Sequence, residues 1–460
     1  MVVILGAGLA GLSAASHLAG RDVAVVEKES EVGGLCRTRR ERGFTFDYTG
    51  HLLHLRDDTI RDWVLELLPK GYHQLDRSAW IHSHDVVTPY PFQANTAGLP
   101  LEVRMECLLG FIDTLRGTDA GGSPGVAVPE AVAVENAPPF LKVCPPVTDG
   151  EPGFKDWIDR TFGAGFAKHF FVPYNEKLWR RDLSEVTGDW VSWSIPRPDL
   201  GDVLRGAITR AEQVYGYNPR FLYPGAGGID HLPRSIADQL APGVVRCDTP
   251  VVQLSAREKR VTLDGGESVD GEFVLTSLPL TTLVGMTTDI PDDLREATNA
   301  LDHVSIRAVN VGVRGDAVHP GAQWVYFPER EYPFHRIGLP AALTPAMAPE
   351  GHHSLVGELS FRPDDDPGQE ASLEATLDGM LRSGFLRSRD DVVHTDVVDI
   401  PLAYVVFDRR RREVLPELIR WFVSHGVIPL GRYGTWDYLA MEDSLRHGRE
   451  VAQWIAGEER

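Results

Sequence analysis

Three glycines spaced as Gly6-Ala7-Gly8-Leu9-Ala10-Gly11 follow directly on an apolar run, Val2 to Leu5, and an acid, Glu27, ends the next apolar run, Val23 to Val26. These residue types at this spacing can grip a dinucleotide. Gly6 makes the tight turn, Gly8 lets backbone approach a pyrophosphate, and Gly11 lets a helix pack on a strand. The helix that begins there turns unpaired N–H groups toward phosphates, and Glu27 can accept hydrogen bonds from ribose hydroxyls. No Ser/His/Asp set, carboxylate pair or HExxH-like pattern stands out, and Cys36, Cys107, Cys144 and Cys247 lack metal-ligand spacing. No metal is expected.

The elements that must position these groups read as strand, Gly-rich turn, helix, strand, acid, with Leu9, Leu12 and Leu18 at helical spacing. The opening run is read as a cofactor floor. A secretory leader would need positive charge ahead of it, and a membrane helix about 20 apolar residues in a row, which the three glycines do not suit. At 460 residues two or three lobes are expected. The net charge of −20 repels nucleic acid and anionic membrane, so an anionic substrate must be met by local arginines. Sparse cysteines suit reduced thiols and a cytoplasmic location. Asp119 to Gly153, rich in Gly, Pro, Ala and Val, reads as a long loop or insertion without a site. Short strands are read at Val251–Leu254, Arg260–Leu263 and Phe273–Thr276, and a further strand runs into Gly431-Arg432.

Just beyond Glu27, Gly33-Gly34-Leu-Cys-Arg37 resembles the flavin-binding signature of the amine-oxidase-like superfamily, which favours FAD over NAD; an ordinary Gly-Gly turn is the alternative. Five further stretches, in order along the chain, resemble the UDP-galactopyranose mutase family. They are Phe46-Asp-Tyr48-Thr-Gly50-His51-Leu-Leu-His54, Tyr90-Pro-Phe92-Gln-Ala-Asn95, and Phe171-Val-Pro-Tyr174-Asn-Glu-Lys177-Leu-Trp179. Then come Pro333-Phe-His-Arg336-Ile, and the pair Tyr404-Val-Val-Phe-Asp408 with Gly431-Arg432-Tyr-Gly-Thr-Trp-Asp-Tyr438-Leu-Ala-Met441. The sequence departs from the family where Trp193-Ser194 stand in place of an Arg before Ile195-Pro196, with Arg197 as a candidate substitute, and where Ala403 replaces a Tyr.

The resemblance implies an α/β chain: a Rossmann-like, GR2-type FAD-binding domain with an inserted helical domain and an antiparallel β-sheet domain. The FAD domain would take residues 1–90, 215–290 and 420–460, the helical substrate domain 91–214, and the sheet domain 291–419. It also implies a redox-neutral ring contraction of a nucleoside-diphosphate hexopyranose to the hexofuranose, with reduced FAD attacking the anomeric carbon through N5. Arg336, Arg432 and His51 would be the catalytic residues. Gly6, Gly8, Gly11, Glu27, Gly33, Gly34, Arg37, Gly431 and Met441 would hold the cofactor. Tyr174 and Trp179, on a shared helix face, would receive the base, and Arg197, Tyr404 and Tyr438 would complete the substrate site. The partner would be a nucleoside-diphosphate sugar, with no nucleic acid or membrane; the resemblance admits a homodimer. Arg409-Arg410-Arg411-Arg412, bracketed by Asp408 and Glu413, reads as a solvated charge run. The competing reading is an FAD-dependent oxidoreductase of the amine-oxidase or protoporphyrinogen-oxidase kind. A flavin-bearing scaffold without turnover is the third.

Overall fold

The computed structural model describes residues 1–18, 20–68, 71–116, 130–148, 150–191, 195–209 and 219–458. Trp193 and Ser194, and residues 119–129 of the expected insertion, lie outside them. The first segment folds as β1 (Val2–Leu5), α1 (Leu9–His17) and β2 (Val23–Val26). Every residue of β1 is buried, because a central parallel strand is covered on both faces and so reads as an unbroken apolar run. Further along come β3 (Ala79–Ser83), β4 (Val86–Pro89), α2 (Leu101–Arg116), α3 (Phe154–Phe166), α4 (Val172–Trp179) and α5 (Leu200–Ile208). Next follow β5 (Val245–Arg246), β6 (Phe273–Thr276), β7 (His303–Arg314), β8 (Trp324–Tyr326), β9 (Arg336–Gly338) and β10 (His352–Phe361). The chain closes with β11 (Val392–Val405), α6 (Arg409–Ser424), β12 (Val427–Pro429) and α7 (Met441–Glu458).

Two sheets organise these elements. A parallel sheet runs β5-β2-β1-β6-β12, so its strands come from the start, the middle and the end of the chain. The second sheet runs β11-β7-β10-β9-β8-β3-β4. All its neighbours are antiparallel except β8 and β3, which pair in parallel. Strands β3 and β4 therefore leave the 1–90 segment assigned to the FAD domain. β3 pairs with Trp324–Tyr326 and β4 with β3, which places both on the second sheet, a register that local patterning does not carry. The short strands Val251–Ser255 and Arg260–Leu263 likewise form a small antiparallel sheet of their own.

Helices α2 to α5 build the lobe beside these sheets. Its centre is aromatic: Trp157, Phe162, Phe166 and Trp179 are each at most 1% exposed. Of the expected insertion, Val132–Ala133 and Lys142–Val143 form a hairpin, and Val134, Leu141 and Val143 are buried in the main core. Among the described residues no helix is long and apolar enough to cross a membrane.

Candidate functional site

The dinucleotide cradle is assembled from bare backbone. Gly8 and Gly33 pair as a parallel bridge, and the Gly33 N–H donates to the Ala7 carbonyl at 2.8 Å. Gly33 has φ +119°, and a Cβ there would meet the Cys36 carbonyl at 2.7 Å, so a side chain is excluded on both conformational and steric grounds. A Cβ on Gly11 would lie 2.1 Å from the Gly6 carbonyl oxygen, which is why helix and turn can touch. Gly8 caps α1 with no side-chain acceptor, leaving the helix N-terminus open to an anion. Glu27 is 7% exposed, and its two oxygens accept the Ala7 N–H at 2.8 Å and the Glu29 N–H at 3.0 Å. Arg37 donates to the Gly34 carbonyl and to Glu29, and its guanidinium covers the Tyr48 ring at 4.9 Å. Gly431 rests on α1, since a Cβ there would come within 2.8 Å of the Ala10 Cβ. Met441, half-buried against the main core, opens α7. These residues fit FAD: a side-chain-free cleft beside a helix N-terminus suits a pyrophosphate, and a pinned carboxylate at the end of β2 can accept hydroxyl donors.

The C-terminal turn carries Arg432 beyond this cradle. Its guanidinium donates to the carbonyls of Leu439 at 3.1 Å and Ala403 at 3.2 Å. It lies over the Tyr438 ring at 4.4 Å and the Tyr404 ring at 5.4 Å, and those rings are themselves stacked 6.0 Å apart. Nε is buried without an acceptor, and the acidic group whose field reaches Arg432, Asp437, makes no ion pair with it among the described residues. A partly buried cation in that condition has given up water without an anion to replace it. Burial raises the Tyr404 hydroxyl pKa, so that group stays a donor.

Arg336 is in a different state. Its Nε and Nη2 donate to the two oxygens of Glu358 at 3.0 and 2.6 Å, and Glu358 is 2% exposed. The expected second phosphate grip is therefore a neutralised ion pair, whose Nη2 edge faces Gly50. His51 sits beside both arginines. Burial pushes its pKa down to about 4, and the fields of Arg432 and Arg336 act in the same direction, so the ring is neutral at pH 7.

Two aromatic residues expected on one face are divided. Tyr174 lies against Tyr326 and His335, whereas Trp179 is 1% exposed between Trp190 and Tyr404. Five residues along a helix amount to about 140° of rotation, so Trp179 backs Tyr404 as a wall instead of presenting a surface to a base. Arg197 does not join the clamp: it is exposed, and its guanidinium lies 5.2 Å from the Trp157 ring centre. The arginine run is a solvated face only at Arg409 and Arg410, which are exposed. Asp408 caps α6 by accepting the Arg411 N–H at 2.8 Å, which turns Arg411 and Arg412 inward, 5% and 1% exposed. Glu358 was missed, although it is the only carboxylate in the apolar run His352–Phe361 and could have been flagged as a buried charge.

A narrow cavity of about 70 Å³ lies here, lined by Thr49, Gly50, Trp324, Arg336, Met347 and Glu358. A larger groove of about 1030 Å³ on the helical lobe, past Gly110, Lys155 and Gly163, contains none of the residues above. Chemistry and not volume locates the site.

Comparison with known proteins agrees with this geometry. The chain matches the family "Flavin containing amine oxidoreductase" over residues 9–382. It is similar to a crystal structure of reduced UDP-galactopyranose mutase, with a TM-score of 0.87 and 25% identity, covering 99% of this chain and 94% of that one. A putative protoporphyrinogen oxidase from Exiguobacterium sp. 255-15 shares the fold with a TM-score of 0.72 at 15% identity, covering 99% and 98%. An inactive all-trans-retinol 13,14-reductase of Danio rerio is 39% identical over 83 residues, which is 16% of this chain and only 14% of that protein. With the family match running through most of the chain and a cleft that fits the cofactor, this protein belongs to the flavin containing amine oxidoreductases and uses FAD.

Proposed function

We propose that the chain is a sugar-nucleotide mutase that interconverts the pyranose and furanose forms of a nucleoside-diphosphate hexose without net oxidation. The observation that carries this reading is Arg432, a guanidinium caged by Tyr404 and Tyr438 with no carboxylate partner among the described residues. A planar fork of donors beside two tyrosines matches a diphosphate leaving group. The likeness to reduced UDP-galactopyranose mutase over nearly the whole length supports the same reading. When bound and reduced, FAD supplies an electron-rich nitrogen for the anomeric carbon. The protein's own part is to hold the leaving diphosphate through Arg432, with Tyr404 and Tyr438 adding hydroxyl donors as charge develops. Neutral His51 and the Arg336–Glu358 pair keep the neighbouring wall polar but without net charge.

A panel of UDP-, GDP- and dTDP-hexoses tests this. The dithionite-reduced protein should interconvert ring isomers of one of them, and the oxidised protein should not. Failure with every sugar nucleotide after reduction refutes the proposal.

One observation favours a second reading, an FAD-dependent oxidoreductase. Arg336 spends its charge on Glu358, so it is not free to meet a second phosphate. An oxidase would consume oxygen with an amine or porphyrinogen-like substrate and release peroxide.

A further inference from the structure

We propose that Arg411, within the arginine run, is a positioning residue that sets the turn carrying Arg432 and Tyr438. The proposal rests on the reading of Arg432 as an anion clamp, and extends it to the device that holds the clamp in place.

The turn is strained and buried. Trp436 is fully buried, yet has φ +52°, a left-handed conformation unusual for a bulky residue. The conformation folds the chain back, so that the Asp437 N–H donates to the Arg432 carbonyl at 2.9 Å and the Tyr438 ring lands on the Arg432 guanidinium. A buried strained turn persists only where its surroundings over-determine it. Arg411 supplies that determination. Its Nε donates to the Trp436 carbonyl at 2.9 Å, the atom whose direction the left-handed residue sets. Its Nη atoms stand 3.6 Å from Asp437 and 3.8 Å from Asp189, and the guanidinium is 4.2 Å from the Phe407 ring centre. One planar group therefore fixes both sides of the Trp436–Asp437 peptide and ties it to the helical lobe.

The insertion completes the brace. Glu151 pairs with Arg412 at 2.7 Å, and Arg412 shares Asp189 with Arg411. Phe140 stacks on His447 with 4.0 Å between ring centres, and His447 accepts the Gly431 N–H at 3.3 Å. The stretch that reads as a siteless loop thus reaches the clamp turn through intermediaries, through His447 at its entrance and through Arg412, Asp189 and Arg411 at its exit.

The test uses the holoenzyme and two variants. Arg411→Lys keeps a buried positive charge but loses the fork that reaches Trp436, Asp437 and Asp189 together. Phe140→Ala loosens the entrance without touching a charge. In Arg411→Lys, amide exchange should rise at least tenfold across residues 432–438 and stay unchanged across β1 and β6, with FAD content preserved. Inorganic pyrophosphate, read by flavin absorbance, should bind at least tenfold more weakly. Phe140→Ala should show the same pattern in smaller measure. Unchanged exchange across 432–438, or exchange raised evenly through the helical lobe, overturns the positioning role. If pyrophosphate fails to bind the parent protein, the clamp reading falls, while the exchange measurement still decides the brace.

Discussion

Arg432 and Arg336 are both half-buried guanidinium groups at one site, and their surroundings predict opposite consequences of removal. Arg432→Met loses two hydrogen bonds from a charged donor to neutral carbonyls, each about 1.5–3 kcal/mol, and a cation–π contact of about 0.5–2 kcal/mol. Against this, the substitution removes a buried, unsatisfied Nε costing about 1–3 kcal/mol and a desolvated charge whose burial costs several kcal/mol more, so that gains and losses nearly cancel. The net change in folding stability should stay within about 2 kcal/mol. Binding should suffer far more, because a charged group facing a diphosphate is worth about 2–5 kcal/mol, or about 30- to 4000-fold in affinity. Arg336→Met strands the buried carboxylate of Glu358 and should cost about 3–5 kcal/mol of stability. Urea denaturation of both variants, alongside pyrophosphate and UDP titrations followed by flavin absorbance, separates the two. An Arg432→Met protein that loses 3 kcal/mol or more, or that binds pyrophosphate as the parent does, would refute the assignment of Arg432 to an anion.

Other outcomes follow from the same geometry. Burial holds His51 and His54 near pKa 4 and His447 near 3, below the ordinary 6.5. The unfolded chain therefore takes up these protons first, and stability should decline as pH falls from about 6.5 toward 4, a decline that His51→Asn and His54→Asn should flatten in urea melts run across that range. Gly33→Ala, with its Cβ 2.7 Å from a carbonyl at positive φ, should lose FAD before it loses fold, seen as a lower flavin-to-protein absorbance ratio with unchanged far-ultraviolet dichroism. Arg412→Met leaves buried Asp189 with only the longer 3.8 Å contact to Arg411 and takes Glu151's arginine away, and should lower stability by about 1–3 kcal/mol in denaturant titration. Glu358→Gln keeps the shape at Arg336 but removes the neutralising charge, so pyrophosphate should bind more tightly by titration.

The dinucleotide cradle was legible because its demands are local. A tight turn, a bare backbone and an acid at the end of the second strand are properties of residue type and spacing within about thirty residues, and Gly6, Gly8, Gly11, Glu27, Gly33 and Gly34 stand where those demands put them. Residues 273–276 and 427–429 are legible as strands because buried parallel strands are unbroken apolar runs, but their return to the first strand rested on the family resemblance, since pairing partners are not local properties. The Arg432–Tyr438 spacing stood out through its resemblance to the mutase motif, whereas the stacking of the guanidinium on the ring came from the fold.

What the sequence alone left undecided concerns charge balance and direction. Whether an arginine meets an anion from outside or a carboxylate from its own chain depends on a strand 22 residues away: Glu358 reaches Arg336 through the register of β9 with β10. Whether a run of arginines faces water or the core was set by the Asp408 cap, which points Arg411 and Arg412 inward against Asp189 and Glu151. The separation of Tyr174 from Trp179 came from packing against different neighbours, and the transfer of β3 and β4 to the second sheet from an edge left open by β8. Spacing along a chain specifies what a short segment can bind. Which charges are already spent is decided only when distant segments are brought into contact in low dielectric.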